Sequence, residues 1–306
     1  MEMVVAVASR SFSASSTLRD ALVHEFPAAR FNVEGYRLAG DSLVQFLDGA
    51  KAAILGIEPL TRDVIDQLPA LRLVSKYGVG TDSLDLVALE ERGIALALTH
   101  GTNAQAVAEH TLLLMLGCLR RLPEVQVNVL ERRWVPVTGQ LLQGKTVGLL
   151  GVGHVGRSLA GLLRAFDCTI LGFDLAQVDT SGVEFVALED LLAAADLVSV
   201  HLPLTDQTRG MIDAGNLSRM KAGAILINTS RGAVVDDDAL MAELSSGRIR
   251  AGLDVLSIEP PLSWGLTGLP NVLLTPHIAG SSEESNLAMG YAAIDGLVRN
   301  RDRMAP

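Results

Sequence analysis

The chain has 306 residues, too many for one comfortable hydrophobic core and enough for two domains. Its 25 basic and 35 acidic residues leave a net charge of −10, which argues against non-specific attraction to nucleic acid or anionic lipid. Apolar residues make up 49% and aromatic residues 4%, and the longest uncharged apolar run, near Thr111 to Leu119, falls far short of the roughly 20 residues needed to span a bilayer.

Met1 to Ser9 is apolar but has neither a basic leader nor a small-residue cleavage pattern, so it reads as a first strand. Apolar strands then alternate with amphipathic helices. The predicted strands are Met3 to Ala8, Arg30 to Tyr36, Ala52 to Ile57, Leu73 to Lys76 and Ile94 to Leu98, with helices such as Ser16 to Glu25 and Leu84 to Glu91 between them. This alternation predicts a small doubly wound parallel sheet that binds ligands beyond the carboxyl ends of its strands. Those ends include Glu58-Pro59-Leu60 and Lys76-Tyr77-Gly78-Val79-Gly80. Ala104 to Arg121 reads as a long helix, apolar over most of its faces, expected to be buried and to carry the chain from one domain to the other. A further helix is predicted at Pro123 to Trp134, and a loop at Val135 to Gly144. Cys118 and Cys168 fall in a predicted helix and strand without metal-ligand spacing, so free thiols in a reducing, cytoplasmic compartment are expected and no metal site is.

The stretch Thr146 to Leu159, TVGLLGVGHVGRSL, joins a β-branched apolar strand to an apolar-periodic helix through a glycine-rich turn. Gly151 allows the tight turn, Gly153 the approach of a pyrophosphate, and Gly156 the close packing of helix on strand; His154 and Val155 lie inside the turn, at the helix start whose free N–H groups face the anion. The next strand, Cys168 to Phe173, ends in Asp174, placed to accept hydrogen bonds from an adenosine ribose and to repel a 2′-phosphate. Leu175, Ala176 and Gln177 follow, with no arginine to favour NADP. The pattern predicts NAD. Further strands are predicted at Leu197 to His201, Ala224 to Asn228, Ile249 to Leu253 and Val272 to Leu274, giving six from the fingerprint onward. A last helix, about Ser282 to Val298, is expected to return to the first domain and make it discontinuous.

Three stretches place polar residues at predicted strand ends: INTSRG with Arg231, LDVLSIEP with Asp254 and Glu259, and LTPHIAG with His277. Oxidation of a carbinol by NAD needs a group that takes the hydroxyl proton, and histidine has the pKa nearest neutrality. A carboxylate on its far nitrogen would fix the tautomer, and an arginine would clamp a substrate carboxylate through two parallel bonds. Taken singly, Arg231 reads more simply as a partner for surface acids, Glu259 before Pro260 as a turn acid, and His277 equally well as a satisfied buried histidine. Their joint placement after the fingerprint favours the functional reading.

These blocks carry a resemblance. SKYGVGTDSLDL, NAQAVAEH, LLGVGHVGRSLA, VSVHLPLTDQTRGMI, INTSRGAVVD, AGLDVLSIEP and LLTPHIAG resemble, in order and over nearly the whole chain, the D-isomer-specific 2-hydroxyacid dehydrogenases. The resemblance implies an α/β fold of two doubly wound parallel-sheet domains separated by a cleft. One is a flavodoxin-like substrate domain (1–99 plus 282–306), the other a Rossmann NAD-binding domain (100–281). It implies that Arg231 binds and polarises the 2-oxo acid, that Glu259 partners the histidine and that His277 is the acid/base. Asp254 would lie by the nicotinamide carboxamide, and Pro203 and Thr229 along the cofactor. The amides of Val79 and Gly80 would hold the substrate carboxylate, and Asn103 would join the cleft rim. His110 is expected to make a structural or interdomain hydrogen bond, His201 to position backbone by the cofactor, and His154 to face solvent or the pyrophosphate; His24 and His100 carry no usable signal. The resemblance further implies a homodimer formed through the cofactor domain, without nucleic-acid or membrane partners.

Phosphoglycerate dehydrogenases of this family hold the distal phosphate with basic residues near the first-domain strand ends, and Lys76 stands where such a charge would be useful, which puts 3-phosphoglycerate first among substrates. Glu58, at another strand end, reads equally well as a solvated turn residue or as a carboxylate that would repel a phosphate, so hydroxypyruvate or glyoxylate follows closely. A serine-sensing C-terminal module is not expected, since the chain stops just after its last helix. Two other readings remain: an NADH-sensing binding protein like the co-repressors of this superfamily, and a phosphite-type dehydrogenase. Formate enzymes carry glutamine in place of the glutamate, so Glu259 counts against that branch.

Overall fold

A computed structural model describes residues 3–176 and 180–304. Gln177, part of the stretch read against NADP, lies outside the described residues. The chain forms two compact units, Met1–Asn103 with Ser281–Pro306, and Ala104–Gly280.

The first unit holds β1 (Val5–Val7), β2 (Arg30–Phe31), β3 (Ala52–Leu55), β4 (Leu73–Lys76) and β5 (Ala95–Ala97), all parallel in the order β2-β1-β3-β4-β5. This is the flavodoxin-like arrangement, whose strand order reverses beside the first strand. β1, β3 and β4 are buried throughout because helices cover both faces, which is why they read as unbroken apolar runs. One face packs on Leu43, Leu47, Val64, Ile65, Ala88 and Leu89. The other packs on Phe12, Leu18, Leu22, Met289, Ala293 and Leu297, the last three from the helix Glu283–Arg299. That helix returns to the unit so closely that a Cβ on Gly290 would lie 2.3 Å from Leu18. Ser75 at the sheet donates to the Ala293 carbonyl at 2.7 Å. The strand expected at Arg30 to Tyr36 is shorter, ending at Phe31. Asn32 turns the chain instead, its amide nitrogen donating to the carbonyls of Ala8 and Tyr36, with Gly35 at φ +70° closing the turn.

The second unit holds β6 (Thr146–Leu150), β7 (Thr169–Phe173), β8 (Glu184–Phe185), β9 (Leu197–Val200), β10 (Ile225–Asn228), β11 (Arg250–Leu253) and β12 (Val272–Leu274). Their order is β12-β11-β10-β9-β6-β7-β8, again all parallel. Numbered from the fingerprint strand this is the 3-2-1-4-5-6 Rossmann order with one strand added, and the switch point falls between β6 and β9. The sheet has seven strands rather than six. β8 is a two-residue exposed edge paired to Leu171 and Gly172, with no apolar run to announce it. The helix Ala104–Leu119 lies wholly in this unit and packs on β10, β11 and β12. It is less enclosed than its composition suggested, for Leu113 is 55% exposed. No helix among the described residues is long and apolar enough to cross a membrane.

Candidate active site

The glycine-rich turn shows what each glycine is for. Gly151 has φ +97°, and a Cβ there would lie 2.8 Å from the His201 carbonyl carbon, so neither the conformation nor the space admits a side chain. A Cβ on Gly156 would lie 2.3 Å from the Gly151 carbonyl oxygen, which sets how closely the helix His154–Leu163 starts under the turn. Around Gly153 there is open space. Gly153 is the N-cap of that helix and no side chain caps it, so the helix start that His154 and Val155 open presents the positive end of its dipole at the turn. These residues fit a dinucleotide pyrophosphate.

Asp174 follows β7 and ties the turn together. Its Oδ2 accepts from the Val152 amide at 2.7 Å and its Oδ1 from the Ala176 amide at 3.0 Å. Each oxygen keeps a lone pair, enough for ribose hydroxyls, while the fixed charge opposes a 2′-phosphate. Asp174→Ala is expected to weaken NADH binding and relax discrimination against NADPH, measured as the ratio of the two dissociation constants; an unchanged ratio assigns ribose reading elsewhere.

His201 ends β9 with its backbone against Gly151, its amide donating to the Leu150 carbonyl at 2.7 Å. Burial pushes its pKa down to about 4, and its Nε2 shares a hydrogen bond with Ser199 Oγ, so it is a neutral positioning group. The Pro203 carbonyl accepts from Thr208 Oγ1 at 2.6 Å. Thr229 donates to Thr111 Oγ1 at 2.9 Å, since the Thr111 hydroxyl is already spent on the Val107 carbonyl.

Arg231, Glu259 and His277 all belong to this unit. His277 Nδ1 donates to Glu259 Oε2 at 2.6 Å. A carboxylate only accepts, so the bond fixes the tautomer and leaves Nε2 for a substrate. The hydrogen bond and charge of Glu259 raise the His277 pKa above its usual value, against burial and the Arg231 charge. Burial works to raise Glu259, but the His277 and Leu256 N–H bonds and the charges of His277 and Arg231 hold it below the ordinary carboxylate range. Arg231 therefore acts electrostatically on both partners. Its own segment is fixed by Asn228, a buried residue at the end of β10 whose side-chain nitrogen donates to the Arg231 carbonyl at 3.0 Å. A Cβ on Gly232 would lie 2.0 Å from the Leu256 carbonyl carbon, so the arginine and glutamate segments run in contact. Replacing Glu259 by Gln removes the interaction that raises the histidine. The pH above which 2-oxo acid reduction fails is then expected to fall, because less imidazolium survives at a given pH; an unmoved rate profile would show that the pair does not govern the reaction.

Asp254 is not in the histidine pair but underneath it. It lies just past β11, 1% exposed, and accepts from the amides of Ile278 and Ala279 and from Thr275 Oγ1 at 2.5 Å. His110 Nε2 completes the chain by donating to Thr275 Oγ1 at 3.0 Å. Burial works to raise Asp254; His110, whose Nε2 also lies 3.5 Å from Oδ1, and the three hydrogen bonds to the carboxylate hold it below the ordinary range. The His277 amide donates to the Asp254 carbonyl, and His277 holds φ +55°, a left-handed conformation costing about 1 to 2 kcal/mol that this cage imposes. Thr275 and Asn228 were not singled out in the sequence; a polar residue closing an apolar strand was their only signal.

In the first unit, Lys76 and Glu58 are buried at the carboxyl ends of β4 and β3. Glu58 Oε2 accepts from the Gly56 amide at 2.6 Å, and Lys76 Nζ donates to the Gly56 carbonyl, so cation and carboxylate bracket one residue. Val79, Gly80 and Asn103 are half-buried in their loops. Among the described residues no cluster of His, Cys, Asp and Glu could hold a metal.

A doubly wound sheet, a glycine-rich turn followed by an acid at the end of the next strand, and a carboxylate-backed histidine beside an arginine are the parts that an NAD-dependent dehydrogenase needs. Residues 112–279 match the family model of the D-isomer specific 2-hydroxyacid dehydrogenase NAD binding domain. The chain is 36% identical over 247 residues to a hydroxypyruvate reductase of Thermotoga maritima, covering 78% of this chain and 81% of that one. It is 36% identical over 244 residues to a D-3-phosphoglycerate dehydrogenase of Archaeoglobus fulgidus, covering 77% of this chain but 46% of that longer protein. The crystal structure of the TT0316 protein of Thermus thermophilus superposes with a TM-score of 0.89 at 33% identity, over 98% of this chain and 97% of that one. The chain belongs to the D-isomer-specific 2-hydroxyacid dehydrogenase family, NAD-dependent oxidoreductases of CH–OH donors.

Proposed function

We propose that the protein interconverts a small, unphosphorylated 2-oxo acid, such as hydroxypyruvate or glyoxylate, and its D-2-hydroxy acid. The observation that carries this reading is the 2.6 Å bond between His277 and Glu259 under the charge of Arg231. When bound, NAD(H) supplies or takes the hydride. Arg231 binds the substrate and polarises its carbonyl, His277 Nε2 delivers the proton to the new hydroxyl oxygen, and Glu259 holds the imidazolium charged and oriented. Asp254 holds the histidine loop beside the cofactor. Lys76, Val79, Gly80 and Asn103 are assigned to substrate. Lys76 favours 3-phosphoglycerate by its charge, but the buried Glu58 carboxylate on the same residue, Gly56, weighs against a distal phosphate. An NADH-oxidation screen over hydroxypyruvate, glyoxylate, pyruvate and 3-phosphohydroxypyruvate tests this, with NAD reduction by phosphite as a separate arm. Higher kcat/KM for an unphosphorylated acid is expected; preference for 3-phosphohydroxypyruvate returns Lys76 to phosphate binding, and turnover of phosphite alone overturns the reading.

The reading includes a cytoplasmic homodimer formed through the cofactor-binding unit. The helix Leu122–Leu130 has no buried residue although it is largely apolar, and Leu130, Trp134 and Leu141 are 72%, 93% and 69% exposed. So much apolar surface on one segment favours association. Light scattering behind a sizing column is expected to give twice the chain mass, and Trp134→Glu to shift it toward the monomer; a monomeric wild type rejects the dimer.

A further inference from the structure

The second unit also contains a cavity of about 150 Å³ that none of the groups above uses. It opens at the amino ends of β10 and β11, where Ile225 and Arg250 begin their strands, and it is bounded by Cys118, Arg121, Gln140 and Gly223. Arg231 and Asp254 lie past the opposite ends of the same two strands. Four residues of strand separate the two places by about 13 Å.

Two arginines, Arg121 and Arg250, line the cavity, in a chain whose net charge is −10. Arg121 Nε is buried and has no hydrogen-bond partner among the described residues. Another nitrogen of Arg121 pairs with Glu124 at 2.5 Å, so part of that charge is offset. Arg250 is half-buried, and among the described residues no carboxylate pairs with it. Its charge acts on the Cys118 thiol, opposing the burial that pushes that group up to about 12 and keeps it neutral. The end of the helix Ala104–Leu119 would oppose an anion through its carbonyls, but two of these are already taken. The Arg121 amide donates to Cys118 and the Gln140 amide to Leu119.

A buried N–H without an acceptor beside an unpaired guanidinium is costly unless an oxyanion supplies both acceptor and charge. The volume suits a guest of about benzene size and excludes a nucleotide. We propose that this cavity binds a small oxyanion, phosphate or a short carboxylate, through Arg250 and Arg121, independently of the NAD site.

Calorimetric titration of the NADH-saturated protein with phosphate and, separately, with acetate tests this, ionic strength being held constant with sodium chloride. Saturable binding of at least one anion is expected, weakened at least tenfold in Arg250→Gln and in Arg121→Gln, and largely kept in Arg250→Lys. NADH turnover by the variants should stay within twofold of wild type, which reports that they fold and that the active site is untouched. The arm that binds more tightly names the ligand. No saturable binding in either arm, or equal affinities in wild type and both glutamine variants, would overturn the proposal.

Discussion

His277→Ala is expected to lower kcat for 2-oxo acid reduction by roughly 10² to 10⁴, the usual share of a positioned general acid, while the NADH dissociation constant stays nearly unchanged. The separation of the two effects follows from the geometry. The turn at Gly151, Gly153 and Gly156 and the Asp174 carboxylate are held by backbone contacts that do not involve His277. The imidazole depends instead on Glu259 through Nδ1 and on the cage around Asp254 through its backbone. Alanine also relieves nothing useful, since the left-handed conformation at this position persists with any side chain that has a Cβ. Stopped-flow or steady-state NADH oxidation checks the rate, and fluorescence titration the binding. Wild-type-like turnover in the variant would remove His277 as the acid.

Arg231→Gln is expected to cost about 10² to 10³ in kcat/KM, with both a raised KM and a lowered kcat. In the proposed reading the guanidinium would serve the bound acid in ground and transition states alike through paired N–H donors, and glutamine keeps a polar group but loses the charge and the fork. The substitution also removes a charge that lowers the pKa of both His277 and Glu259. The pH above which reduction fails should consequently move upward in this variant, opposite to its direction in Glu259→Gln. Two opposed shifts from neighbouring residues are difficult to obtain from loss of stability alone. If kcat/KM in Arg231→Gln stays within a factor of two of wild type, the arginine is an ordinary surface group.

The parts of the molecule that were legible in the sequence are those whose causes are local. The turn at Gly151 and Gly156 is one, because a Cβ at either position meets backbone. The buried strands Ala52–Leu55 and Leu197–Val200 are others, because helices on both faces require apolar residues at every position. β8 was not legible, since Glu184 and Phe185 lie at an exposed edge and need only backbone pairing. Nor was the end of the second strand, which Asn32 decides through acceptors at Ala8 and Tyr36. The pairing of Glu259 with His277 depends on β11 lying against β12, with Leu253 opposite Leu274, and no spacing along the chain encodes that register. The needs of the chemistry, the joint placement of these stretches after the fingerprint and the likeness of whole blocks to one family pointed there instead. The relay from His110 through Thr275 to Asp254 joins residues up to 165 positions apart, and it assigns His110 to the support of the histidine loop. Glu58 was visible as a charge at a strand end, but its bond to the Gly56 amide, which sets it beside the Lys76 contact, was not.

The most direct measurement is chiral chromatography of the acid formed from hydroxypyruvate by the purified protein with limiting NADH. D-glycerate in one-to-one proportion to NADH consumed is the expected product. L-glycerate, or bound NADH left unoxidised in the presence of hydroxypyruvate, glyoxylate and pyruvate alike, would contradict the assignment of Arg231, Glu259 and His277.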